Sequence, residues 1–369
     1  MDTILNWLTL HLTPGLGPAG VRTLLDAFET PARIFSASNK ELLQVRGIKK
    51  SVVESLIKSA PFKLAEQELE KAKTLGVEII SCQDERYPSL LGQIYNPPVV
   101  LYVKGRSDLL NRPSIAVVGS RAATSYGLKI ARQLSAELSG RLSIVSGLAL
   151  GIDTAAHHGA LEAGGSTIAV LGCSLDITYP PQNSRLARLI ENSNGAMISE
   201  YPFQTKPDAF RFPARNRIIS GMALGVLVVE AAERSGSLIT ARQALEEGRE
   251  VFAIPGRVDS IKSSGTHRLL KEGAKLVHTI DDILEEFQGL WSHDDTGVTA
   301  TGKRDPLFSY TATEQKIIDV LDAYPKHIDS IISETGLDIR LINESLLLLE
   351  LKNAIEALPG QQYRCNVCK

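Results

Sequence analysis

Long apolar runs, paired cysteines and an excess of charge of either sign are all missing from this 369-residue chain, and each absence excludes something. No stretch of apolar residues is long enough to span a bilayer, and the opening MDTILNWLTLHLTPG has neither a basic n-region nor a small-residue cleavage site. The chain therefore reads as cytoplasmic, with no membrane insertion and no export. Four cysteines, Cys82, Cys173, Cys365 and Cys368, are too few and too scattered for a disulfide framework. Cys365 and Cys368 make half of a zinc site whose second ligand pair is missing, so no metal is expected. A net charge of −2 gives no global attraction to nucleic acid, and any such binding must rest on a local patch. A dinucleotide fingerprint is absent too. Val118-Gly119-Ser120-Arg121 lacks the second and third glycines of GxGxxG, and no acid follows where a ribose partner belongs, so no cofactor is expected. The Arg121 guanidinium suits a phosphate better.

What is present begins with a local patch. In KPDAFRFPARNRIISGMALGVLVVEAAERSGSLITA, residues 206–241, Lys206, Arg211, Arg215 and Arg217 interleave with Phe210 and Phe212 and meet only Asp208. Arginines and lysines meet phosphates, and aromatic faces stack bases. The same segment continues as a β-branched apolar strand into Ser235-Gly236-Ser237 and an alanine-rich helix. That layout turns backbone N–H groups and a helix N-terminus toward an anion.

The length predicts two or three domains. Residues 1–60 place two glycine turns, Pro14-Gly15-Leu16-Gly17 and Arg46-Gly47, between helical patterns. This is either a pair of DNA-contacting helix-hairpin-helix motifs (a SAM-like helical domain) or a small bundle that keeps only the packing. Residues 61–290 are expected to form a doubly wound, Rossmann-like α/β domain with its core at 114–280. Its strands are the short apolar runs at Ile115–Val118, Leu142–Val145, Thr167–Leu171, Ala196–Ser199, Val226–Val229 and Val251–Ile254, alternating with helical stretches. Ligands of such sheets sit at strand carboxyl ends. Gly119, Ser120 and Arg121, then Ser146, Gly147 and Asp153, then Ser235, Gly236 and Ser237 all fall there. A tight turn accounts for any one of these glycines, whereas their shared position points to a ligand site. Asp153 is expected to cap the helix that follows it.

Residues 291–309 are polar and without periodicity and read as a linker. Residues 310–369 predict three helices and a hairpin, a winged-helix pattern. Six basic against nine acidic residues there would repel phosphate, so a protein-contact or tethering role is expected.

Gly119-Ser-Arg121, Ser146-Gly-Leu-Ala-Leu-Gly-Ile-Asp153, Ala155-Ala-His157, Phe212-Pro-Ala-Arg-Asn-Arg-Ile-Ile-Ser220, Glu230, Ser235-Gly-Ser237 and Pro255-Gly256 together resemble the DNA-processing protein A family, also called Smf. The resemblance covers roughly residues 80 to 280, and both flanking units fit it. It implies a non-enzymatic, single-stranded DNA-binding mediator that protects incoming DNA and loads the RecA recombinase onto it during natural transformation, acting as a homodimer. It places the DNA on Ser120 and Arg121, on the basic segment from Lys206 through Phe210, Phe212, Arg215 and Asn216 to Arg217, and on Ser235 and Gly236; with Gly119, Ser146, Gly147 and Ser237 from the strand ends these make the candidate DNA site. Which of Phe210 and Phe212 stacks on a base stays open. The candidate dimer interface is Gly265–Ala274, with His267, Leu269 and Leu270; a helix packed on its own sheet is the alternative.

The competing function is a nucleotide-binding enzyme of phosphoribohydrolase type. Such enzymes carry a catalytic glutamate in the loop corresponding to Arg234–Ala241, where this chain has Thr240 or Ala241. His157 and His158 beside Asp153 lack a nucleophile. Glu230 and Glu233 are expected to be solvated or paired with Arg217 or Arg234.

Overall fold

The apolar runs become neighbouring strands because each is too short and too hydrophobic to be anything but the inside of a sheet covered on both faces. The structure, a computed structural model, describes residues 4–59, 61–290, 310–322, 325–352 and 354–365. The chain divides into two compact units, with the boundary after Leu290.

The first unit opens with α1 (Ile4–Leu12), α2 (Pro18–Phe28), α3 (Pro31–Ser36), α4 (Asn39–Gln44) and α5 (Lys50–Ser59), followed by α6 (Phe62–Leu75). Both predicted hairpin turns are there: Gly15 and Gly47 adopt φ of 78° and 94°, which favours glycine. Ser38 and Glu41 make a capping box that starts α4.

Then follow β1 (Val77–Ser81), α7 (Ser89–Gly92), β2 (Val100–Gly105), β3 (Ser114–Val118), α8 (Ser125–Leu138), β4 (Ser143–Ser146), α9 (Ile152–Glu162), β5 (Thr167–Val170), α10 (Ser184–Asn192) and β6 (Gly195–Ser199). The unit closes with α11 (Arg211–Met222), β7 (Gly225–Val228), α12 (Ser237–Glu246), β8 (Glu250–Ala253), α13 (Ser264–Lys271), β9 (Lys275–Leu276) and α14 (Asp281–Leu284). Sheet order is β1-β2-β6-β5-β4-β3-β7-β8-β9, parallel from β6 to β9. The stretch before β3 joins the sheet, since β2 pairs antiparallel with β6 and carries β1 beyond it.

Alternation divides the core between two faces. Leu101, Val103, Ile168 and Val170 join Ile218, Ile219 and Met222 of α11 and Leu238 of α12 on one side. Val100, Tyr102, Ala169 and Leu171 join α10 and the N-terminal helices, through Trp7, Leu8 and Leu24, on the other. The order of strands reverses at β3, which has β4 on one side and β7 on the other. Val118 pairs with Val228, so the loops leaving β3 and β7 start side by side.

The second unit contains α15 (Ala312–Val320), β10 (Lys326–His327), α16 (Ile328–Thr335), α17 (Ile339–Leu351), β11 (Ile355–Leu358) and β12 (Gln362–Cys365), with its small sheet ordered β10-β12-β11. Thr311 and Glu314 make a capping box on α15, and Gly336 ends α16 in the left-handed conformation. Ile317, Ile331, Ile342 and Leu349 form its own core, which gives the predicted winged helix. Three of its cations are taken by internal ion pairs, Lys326–Glu334, Lys352–Glu314 and Arg364–Glu356. The predicted linker and Cys368 lie outside the described residues.

Candidate nucleic-acid interface

A cavity of about 830 Å³ opens where β3 and β7 diverge. The loops after β3, β4, β5 and β7 and the start of α11 converge on it. Of the residues expected from the sequence, Gly119, Ser120, Arg121, Phe212, Arg215, Asn216, Ser235, Gly236 and Ser237 line it. Ser146, Gly147, Lys206, Phe210 and Arg217 do not. Tyr179, Asp153, Arg234 and Thr240 line it in addition.

Close backbone approach builds the cavity's wall. Gly151 adopts φ of 81°, and a Cβ there would lie 2.2 Å from the Ser120 carbonyl oxygen. Only glycine lets the loop before α9 rest on the loop after β3.

Beneath this wall lie two opposite charges. Arg215, 4% exposed, donates from Nη1 to the carbonyls of Gly147, at 2.9 Å, and Val170. Asp153 sits within the first turn of α9, and its Oδ2 accepts the amides of Gly147 at 3.1 Å and Ala149 at 3.3 Å. The expected helix cap is therefore a loop clasp: the side chain turns back to the β4–α9 loop instead of the free amides of its own helix. Burial lowers the Arg215 pKa to about 10 against the pull of Asp153. Burial likewise raises Asp153, opposed first by Arg215. Ser146 is fully buried and donates to the Val117 carbonyl at 2.7 Å. Arg217 spends its fork on Glu200, at 2.6 Å for both bonds, and its Nε on the Asn96 carbonyl. Ser146, Arg215 and Arg217 thus hold the site's frame together.

The mouth is aromatic and cationic. Phe212 stacks on Tyr179 with ring centroids 5.5 Å apart and an interplanar angle of 28°. The Arg121 guanidinium lies over the Phe212 ring, 5.3 Å from its centroid. Phe210 stands outside at 66% exposure, with Arg211 over its ring. Tyr179 is invisible to sequence reasoning because its loop, Ile177-Thr-Tyr-Pro-Pro181, has no patterning that ties it to Phe212 across the fold. A tyrosine in the loop after the third predicted strand is the one available signal.

Across the mouth, α12 begins at Ser237, with Gly236 just before it. The Ser235 and Ser237 hydroxyls lie 2.8 Å apart, and the exposed Arg234 precedes them. This helix end combines two hydroxyls, a cation and the positive end of the helix dipole, while the amides of Ser237, Leu238 and Ile239 turn to Ser235 and Gly236.

His157 and Glu230, two of the acid–base groups of the enzyme reading, are enclosed and bonded elsewhere. Thr240 stands at the cavity where the enzyme reading requires a glutamate, and Ala241 is buried. His157 is enclosed beside Thr167 at 2.7 Å, and burial drives its pKa down to about 3. Glu230 is neither solvated nor paired with Arg217 or Arg234, since it is buried and accepts the Thr124 amide at 2.8 Å. Among the described residues no cluster of three His, Cys, Asp or Glu could hold a metal, and no helix is long and apolar enough to cross a membrane. The proposed interface helix α13 turns inward: Leu269 belongs to the core, Leu270 packs against it, and His267 Nε2 meets the Gly256 carbonyl at 3.0 Å.

Residues 78–288 match the family of DNA recombination-mediator protein A. Residues 301–361 match the DprA winged helix domain, and residues 10–60 a SAM-like helix-hairpin-helix tandem. Protein Smf of Synechocystis is 34% identical over 97% of this chain and 98% of its own. DNA processing protein DprA of Streptococcus pneumoniae is 52% identical over 56% of this chain and 73% of its own. A crystal structure of the latter superposes with a TM-score of 0.70 at 40% identity, covering 78% of this chain and 99% of that one. A structure of DNA processing protein A from Helicobacter pylori, described for its single-stranded DNA binding mode, superposes with a TM-score of 0.52 at 31% identity, over 58% of this chain and 97% of that one.

Proposed function

Because the chain belongs to the DNA recombination-mediator protein A family, we propose that it binds single-stranded DNA in the strand-end cavity and hands it to a RecA-type recombinase. The carrying observation is the pairing of an aromatic mouth, Tyr179 and Phe212, with anion donors on both sides, Arg121 on one and Arg234 with the α12 N-terminus on the other. Stacking is worth about 1 to 3 kcal/mol per base and makes no demand on sequence, because every base has a π-face. The cations and the Ser235 and Ser237 hydroxyls meet the backbone. Lys206 and Phe210, exposed just outside, extend the track along the strand. Ser146, Gly147, Arg215 and Arg217 act from beneath by fixing the loops.

The protein works in the cytoplasm, without catalysis, on DNA taken up in natural transformation. It acts as a homodimer through the edge that carries α13, where Val258 and Ile261 are exposed at 95% and 82%. The reading is tested by following RecA filament assembly on poly-dT already coated with single-strand binding protein. Addition of this protein should shorten the lag before RecA ATPase, and the Arg121→Ala variant should not. No effect on the lag, together with base release from a nucleoside monophosphate, would favour the phosphoribohydrolase-type enzyme instead.

A further inference from the structure

Glu230 sits at the carboxyl end of β7, outside the cavity, yet it fastens both ends of the loop that presents Arg121. Its backbone carbonyl accepts the Ser120 amide at 2.7 Å, and its carboxylate accepts the Thr124 amide at 2.8 Å. The first turn of α8 wraps around that carboxylate: a Cβ on Gly127 would come within 2.6 Å of Oε2. Glycine there leaves room for the acid, and the positive end of the helix stabilises it. The loop has only a few other holds. The Ser120 carbonyl accepts the Ile152 amide at 3.2 Å, and Lys262 reaches the Ala122 carbonyl. The Arg121 side chain itself has its ring contact with Phe212.

A buried carboxylate beside an anion site repels the ligand, so its presence there calls for an opposing gain. Ordering the loop before DNA arrives supplies one, because the entropy of fixing Arg121 is then lost on folding and not on binding. The acid also fills the end of α8, the helix end that a doubly wound sheet ordinarily offers to a pyrophosphate, and leaves the end of α12 for the DNA backbone.

We infer that Glu230 is a positioning residue for single-strand binding, holding the Ser120–Thr124 loop so that the Arg121 guanidinium stands over Phe212 at the mouth of the cavity. The inference rests on the cavity being the DNA site.

The test is a double-mutant cycle on the full chain, read by fluorescence anisotropy of a labelled dT oligonucleotide, with thermal melts of every variant. Arg121→Ala and Glu230→Ala should each weaken binding about tenfold, the scale of one charge-assisted hydrogen bond. The double variant should bind no more weakly than Arg121→Ala, and Glu230→Gln, which keeps an acceptor for Thr124, should bind within about threefold of wild type. Should Glu230→Ala fail to fold, Thr124→Pro removes the same hydrogen bond from the other side at a φ of −77° that proline tolerates and, read against Thr124→Ala, which loses only the side-chain cap on the Gly127 amide, takes its place in the cycle. Wild-type affinity in the loop-releasing variant, or a double variant that loses the product of the two single effects, overturns the inference while leaving the cavity as the DNA site. An Arg121→Ala variant with undiminished affinity overturns both.

Discussion

Arg217 and Arg121 lie in motifs of the same family pattern but do different physical work. Arg217 forms a bidentate pair with Glu200 in which both side chains are largely shielded, whereas Arg121 is exposed. Removing one member of a buried pair strands the other charge, so Arg217→Ala should cost about 3 kcal/mol in urea denaturation. Arg121→Ala should stay within about 0.5 kcal/mol of wild type in the same experiment. His157 gives the fold a pH dependence. Its folded pKa near 3 lies below the ordinary value of 6.5, so between those values the unfolded chain binds a proton that the folded chain refuses. Stability is then fully present above 6.5 and falls as the pH drops through that window, by up to about 1.4 kcal/mol per pH unit. His157→Gln should make the acid limb of a melting-temperature profile less steep, while His11, whose pKa burial also lowers, keeps its own share. Residue identities at the cavity are legible where a motif carries them. Tyr179 is not, because stacking against Phe212 arises from a fold-level contact with no local signature.

At the scale of elements, the parallel strands β3 to β8 are readable from short apolar runs, whereas the two-residue β9 is not, and Ser235-Gly236-Ser237 announces a helix start. The addition of β1 and β2 to the same sheet is not readable, since β2 pairs with β6, which lies far along the chain, and nothing local records that pairing. Asp153 departs from its expected role for a related reason: its spacing fits a cap, but the loop folds back so that the amides of Gly147 and Ala149 reach it first. The N-terminus of α12 yields a prediction that separates binding from stability. Gly236 precedes it in a helical conformation, φ −62° and ψ −24°, with open space where a Cβ would stand. Gly236→Asp should leave stability within about 0.5 kcal/mol of wild type, because the conformation suits an L residue and the amides it could cap are already bonded. The same carboxylate occupies the place of a phosphate, so DNA affinity should fall, measured by anisotropy at low salt.

At the scale of the whole molecule, the near-neutral net charge conceals a division of labour. In the first unit, Arg121 and Arg234 stand exposed at one cavity mouth. The second unit spends Lys326, Lys352 and Arg364 internally, and α17 exposes Ile339, Leu341, Leu347 and Leu348 where a DNA reader would carry cations. The winged-helix shape is legible from helix spacing, and its poverty in phosphate-binding charge from the count of basic and acidic residues. The cavity itself appears in the sequence only as separate loops, since its closure depends on sheet order. The most direct test of its role is the salt dependence of poly-dT anisotropy for wild type and for Arg121→Ala joined to Arg234→Ala. Wild type should bind tightly and weaken with salt, and the variant should bind more weakly with a slope shallower by about 0.7 for each phosphate it no longer neutralises. Equal affinity and equal slope for the two proteins would contradict that role.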